Sequence, residues 1–337
     1  MLKSLQLNWL AGALVILVLI CWSGVASASA EWPQRSILMV IPFNPGGATD
    51  QIGRTLEPLM EEKLGVPIAA QNMPGGATSI GNQYVFDAPH DGYTILVEPT
   101  DITSIAVMGQ SKLTWRDWNI LGVAAAVPAV FVIHPDSSIK SIAELATVMK
   151  EKQLSVGVAA SGCAWTRAIS LFAKENGVKQ PMLVPMGGGH PAALAALKKE
   201  VDLAVCGVPE AIDLIKGKKL TALAYMGAED IQEPFIPAIT KAFPGFNKFV
   251  PFGGWVGMAV AKGTPANVVA KLQNAYNYAV NSNKFKEFLA ENNFLEVGLS
   301  GEDAEEYVAV STSVNAWLLY DLGVAPISPE EFEIPRP

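Results

Sequence analysis

Ser36 to Gly65 reads SILMVIPFNPGGATDQIGRTLEPLMEEKLG. Ser36 to Phe43 is a short, continuous apolar run ended by turn residues, the pattern of a strand buried on both faces. The turn Asn44-Pro-Gly-Gly-Ala-Thr-Asp50 follows. From Gln51 to Lys63, Ile52, Leu56, Leu59 and Met60 fall at helical spacing, and Leu64-Gly65 closes the helix. The unit is strand, glycine-rich loop, helix. It recurs at once: Val66 to Gln71 is a strand, Asn72-Met-Pro-Gly-Gly76 a loop and Thr78 to Phe86 a helix. Tyr93 to Glu98 is a third strand, followed by Pro99-Thr-Asp101. Successive βα units imply a parallel sheet with right-handed crossovers.

Outward from that core, Ile120 to Ile133 is a long apolar stretch of strand character ended by His134-Pro-Asp136, and a second βα series begins. Helices are expected at Ile142 to Met149, Arg167 to Asn176 and Pro191 to Lys199. Strands are expected at Leu154 to Ala159, Met182 to Pro185, Val201 to Cys206 and Leu220 to Tyr225. Gly254 to Val260 is the last strong strand, and helices near Pro265 to Asn281, Asn283 to Asn292 and Ala304 to Leu322 end the chain. Two βα series joined by two long strands predict two α/β lobes: residues 31–133 with 254–337, and residues 134–253. Ligands of open α/β sheets sit beyond the carboxyl ends of the strands, here the cleft between the lobes.

Before Glu31 lie a positive Lys3, an uncharged apolar run from Trp9 to Trp22 and small residues at Ala26, Ala28 and Ala30. That layout predicts a cleavable secretory signal over residues 1–30 and a periplasmic mature chain. The 337 residues carry 32 acids against 24 Lys and Arg, net charge -8, which leaves no electrostatic footprint for nucleic acid. Cys163 and Cys206 remain after processing, and whether they pair is open at this level. No metal-ligand spacing joins them to His90, His134 or His190, so neither metal nor cofactor is expected. The chain has no G-x-S-x-G elbow, no G-x-G-x-x-G and no P-loop lysine, so an enzyme is not expected.

Gly46-Gly47-Ala48-Thr49-Asp50 and Gly75-Gly76-Ala77-Thr78-Ser79 both lead into helices. Glycines admit close backbone approach, and a helix N-terminus offers unpaired N–H groups to an anion. The plainer reading is turn glycines with an N-cap from Thr49, Asp50 or Thr78. Recurrence at successive strand ends favours an uncharged carboxylate receptor.

Pro42 to Arg54 (PFNPGGATDQIGR), Gln71 to Gly81 (QNMPGGATSIG), His90 to Leu96 (HDGYTIL), Val184 to Leu197 (VPMGGGHPAALAAL) and Ala261 to Val269 (AKGTPANVV) together resemble the tripartite tricarboxylate transporter receptor family, also called the Bug family. The resemblance covers the mature chain in order. It implies a two-lobed periplasmic-binding-protein fold, type II-like, with two parallel-rich sheets and two crossover strands. The implied function is capture of one small carboxylate (di-, tri- or aromatic) by a monomer, for delivery to membrane transporter subunits. An orphan receptor feeding a sensor kinase or another carrier is the alternative. The implied ligand-binding residues are Phe43, Gly47, Ala48, Thr49, Asp50, Gly75, Gly76, Ala77 and Thr78 of the first lobe. Ser161, Gly162, Cys163, Trp165, Thr166, Gly188, Gly189 and His190 would come from the second, with Thr100 and Asp101 on the hinge side. Met73, Met186 and Cys206 depart from the family pattern, the last standing where an acidic residue is common. Trp165 is read either as stacking on a flat ligand or as packed, and Arg167 either as pairing with a second carboxylate or, the favoured reading, as part of a solvated helix face.

Overall fold

In the computed structural model, which describes residues 31–337, the chain alternates strand and helix in the order β1 Ile37–Ile41, α1 Ala48–Leu64, β2 Ile68–Asn72, α2 Ser79–Asp87 and β3 Thr94–Pro99. The long β4, Trp118–Ile133, leads into α3 Ile142–Glu151, β5 Ser155–Val158, α4 Ala164–Glu175, β6 Met182–Pro185, α5 Gly189–Leu197, β7 Leu203–Gly207, α6 Val208–Lys216 and β8 Thr221–Tyr225. After the one-turn α7, Ile239–Ala242, come β9 Gly253–Ala261, α8 Ala266–Val280, α9 Asn283–Glu291, β10 Leu295–Ser300 and α10 Gly301–Asp321. Arg35–Pro337 form one compact unit. The expected signal segment lies outside the described residues. Among the described residues no helix is long and apolar enough to cross a membrane.

Two sheets meet on one strand. In the first, β1 runs parallel to β2 and β3, and β9 joins antiparallel between β3 and β4. In the second, β5 runs parallel to β6 and β7, and β7 pairs antiparallel with β4. β4 belongs to both: Trp118 to Pro128 pair with β9, and Ala129 to Ile133 pair with β7 and β8. Pro128 marks the switch, a residue with no N–H to give a ladder. The chain returns at Phe252, whose carbonyl accepts from Ala129 N at 3.1 Å, and continues as β9 in the first sheet only.

Each sheet has its own core. Val40, Leu96, Ile120, Trp255 and Val308 pack in the first. Val130, Val132, Ala192, Ala204 and Ile212 pack in the second. The result is the expected two-lobed α/β architecture, two sheets that share β4. Three elements were not read from the sequence: α6, α7 and the edge strand β10.

Candidate functional site

The loops after β1, β2, β5 and β6 converge where the lobes face each other. The lobes touch there: Asn44 N donates to Gly187 O at 3.4 Å, Gln110 Nε2 to Ser161 O at 3.0 Å and Ser104 Oγ to Gly162 O at 3.1 Å. Between these contacts lie two cavities that share Phe43 and Ala159.

The outer cavity, about 350 Å³, is lined by Phe43, Gly75 to Thr78, Gln110 and Ser161 among others, with no charged side chain. The loop that shapes it is strained. Gly75 (φ 127°), Gly76 (55°), Ala77 (50°) and Thr78 (79°) all have positive φ, which for a β-branched threonine is a true outlier. The N–H groups of Gly76 and Ala77 open a short turn that runs into α2, so neither has a helical acceptor.

The deeper cavity, about 30 Å³, is lined by Phe43, Gly47 to Thr49, Thr100, Asp101, Cys163, Trp165, Gly188, Gly189, Glu210 and the joint residues Val127 and Gly254 to Val256. Gly47 does not cap α1 with a side chain. The α1 N-terminus is met instead from the other lobe: Ala48 N donates to Glu210 Oε1 at 3.1 Å, and Gly207 N donates to Glu210 Oε2 at 2.7 Å. One carboxylate thus answers the N-termini of α1 and α6. Burial raises the pKa of Glu210, while the Gly207 and Ala48 N–H groups, His190 and Gly189 oppose that rise. Burial pushes Asp101 up to about 6, opposed by the Arg167 guanidinium. Thr100 Oγ1 is buried without a hydrogen-bond partner.

The expected residues therefore divide. Phe43 lines both cavities; Gly75, Gly76, Ala77, Thr78 and Ser161 line the outer one; Gly47, Ala48, Thr49, Thr100, Asp101, Cys163, Trp165, Gly188 and Gly189 line the deeper one. Four line neither. Asp50 braces the first loop, accepting from Gly46 N, Arg54 Nε and Asn72 Nδ2, each at 2.9 Å. Gly162 packs on Met108, which stands 2.5 Å from where its Cβ would be. Thr166 donates to Ala160 O at 2.9 Å, and the His190 ring is held on Glu210 O at 2.9 Å.

Arg167 is not on a solvated helix face. It is 0 % exposed, with Nη1 donating to Gly162 O at 3.0 Å and Ser104 Oγ at 3.3 Å. Residues of α4 are buried all round because the helix packs on β4, β7, β9 and α10. Cys163 and Cys206 are free and buried.

Glu210 was missed from the sequence. Its signal was present: Gly207-Val208-Pro209-Glu210 puts proline in the first helical turn and an acid at the third position, the mark of a helix start. It restores a carboxylate four residues beyond Cys206. A further cavity of about 660 Å³ lies against β10 and α10, but of the expected residues only Thr100 reaches it.

A family profile described as "Tripartite tricarboxylate transporter family receptor" matches residues 52–320. A Pseudomonas sp. protein described as the UPF0065 protein in the tcbD-tcbE intergenic region is 32% identical over 259 residues, 74% of this chain and 75% of that one. Among solved structures, the periplasmic binding protein BugD superposes with a TM-score of 0.78 at 26% identity, covering 87% of this chain and 99% of its own. An R. palustris protein solved with adipate gives a TM-score of 0.78 at 25% identity, covering 88% and 100%.

Proposed function

This chain belongs to the tripartite tricarboxylate transporter receptor family, and from that premise we propose that it captures one small carboxylate between its lobes and delivers it to the membrane subunits of a transporter. The observation that carries the reading is the outer cavity. It is uncharged, and the backbone N–H groups of Gly76 and Ala77 open a helix beside it. Such a site binds an anion by preorganised dipoles, with no arginine. The Ala48 N–H of the first loop is engaged by Glu210, so the carboxylate belongs to Gly75 to Thr78, with Ser161 facing it from the second lobe. The adipate-bound R. palustris structure, of like fold, supports the ligand class.

We assign residues 31–133 with 254–337 to one lobe and 134–253 to the other, with Thr100, Val127 and Gly254 at the joint. The mature chain acts in the periplasm after removal of residues 1–30, as a monomer and without catalysis. The test is thermal unfolding against mono-, di-, tri- and aromatic carboxylates. A true ligand at about 100 times its Kd adds roughly 2.7 kcal/mol of stability by mass action. If no carboxylate in a broad panel shifts the transition, the ligand class is wrong.

A further inference from the structure

The two cavities of the cleft differ in sign. The outer one has no charged side chain, whereas the deeper one is lined by two carboxylates, Asp101 and Glu210, and by no lysine, arginine or histidine. Asp101 is 6 % exposed and Glu210 5 %. Neither makes an ion pair within 4 Å among the described residues; the buried Arg167 guanidinium behind the cavity wall lowers the pKa of Asp101 from a distance, its Nη1 held by Gly162 O and Ser104 Oγ and its Nε and Nη2 without partners. Glu210 is fixed by Ala48 N and Gly207 N, which oppose the rise in its pKa that burial brings, and a cation seated beside it would oppose that rise further.

A second observation is independent of the acids. Thr100 is 2 % exposed, lines the same cavity, and its hydroxyl has no partner in the protein. Buried hydroxyls without a partner are rare in folded proteins, and one at a cavity wall is available to a ligand. Charge sets the choice of group: a second carboxylate there would face two acidic side chains in a desolvated space, whereas an ammonium would meet oxygen acceptors. Phe43 and Ala159 border both cavities, so the two lie side by side.

We propose that the ligand is a carboxylate that also carries a positively charged nitrogen, its ammonium seated in the deeper cavity against Asp101, Glu210 and the Thr100 hydroxyl. This rests on the carboxylate reading above and adds the second functional group. Asp101 and Glu210 are then the residues that decide specificity. Glu210 has a further effect, since it takes the Ala48 N–H that a second anion would need.

Calorimetry with three series matched in chain length tests the proposal: α,ω-dicarboxylates, ω-amino carboxylates and plain monocarboxylates, each titrated into the full mature chain. The ω-amino acids are expected to bind roughly ten-fold or more tighter than both partners of equal length. In Asp101→Asn that preference should collapse, and in Glu210→Gln it should narrow, with dicarboxylates gaining. Dicarboxylates or monocarboxylates binding as tightly as the ω-amino acids would overturn the proposal while leaving carboxylate capture standing. A preference unchanged in both variants would overturn the assignment to these two residues. If no series binds, the proposal is overturned, and carboxylate capture is decided by the broader panel that includes tri- and aromatic carboxylates. Should either variant not fold, the comparison on the natural protein still decides.

Discussion

Gly76 is where backbone geometry and the proposed anion site coincide. Its φ is 55°, and a Cβ there would stand 2.2 Å from Ser79 Oγ. Any side chain is therefore strained, and Gly76→Ala is expected to cost about 1–3 kcal/mol of stability. Gly76→Asp carries the same strain and adds a negative charge beside the N–H groups of the loop. The two variants should melt alike, yet only the aspartate should lose carboxylate binding, by roughly 100-fold or more. Equal affinity of both variants would show that this loop does not hold the anion. The glycine pairs and their helices were legible in the sequence because small residues before an amphipathic run have a local cause. Glu210 and Arg167 were not, because their roles come from other elements. Ala48 of one lobe meets Glu210 of the other, and Arg167 is sealed in by Ser104 and Gly162.

At the scale of elements, the joint depends on how closely β9 lies on β4. A Cβ at Gly257 would fall 2.2 Å from Gly122 O, and one at Gly253 would fall 2.0 Å from Val127 O, both backbone atoms that cannot step aside. Gly257→Ala should force the strands apart and destabilise by about 2–4 kcal/mol, read as a lower urea midpoint at unchanged slope. An unaltered midpoint would mean that the strands have room there. The sequence showed β4 as one long apolar strand, but not the change of partner at Pro128, since pairing is non-local. α1 and α4 begin three residues earlier than their apolar spacing suggests, at Ala48 and Ala164. The start of α1 is answered by a distant carboxylate in place of a local cap. β10 escaped notice because it is a short, half-exposed edge with an irregular register against β4.

For the whole molecule, the buried acids set how stability depends on pH. Glu98 is 0 % exposed on β3, both its oxygens lack partners, and burial pushes it up to about 8 from 4.5. Asp101, three residues on, is pushed up to about 6 from 3.8, and Glu210 is raised as well. Each acid holds its proton in the folded chain at pH values where the unfolded chain has released it. The folded state therefore binds more protons between about pH 4.5 and 8, and stability must fall as pH rises through that window. Glu98 contributes most, on the order of 3 kcal/mol. The chain's growing negative charge acts in the same direction, so a single melting curve does not isolate Glu98. Comparison with Glu98→Gln does, because the amide keeps the shape and has no proton to lose. Urea unfolding of both proteins at pH 5 and pH 8 should show the natural chain losing more stability than the variant over that interval. The variant should be the more stable of the two at pH 8. If both lose the same amount, Glu98 is already ionised in the fold, and a cation or water must reach β3 to hold its charge.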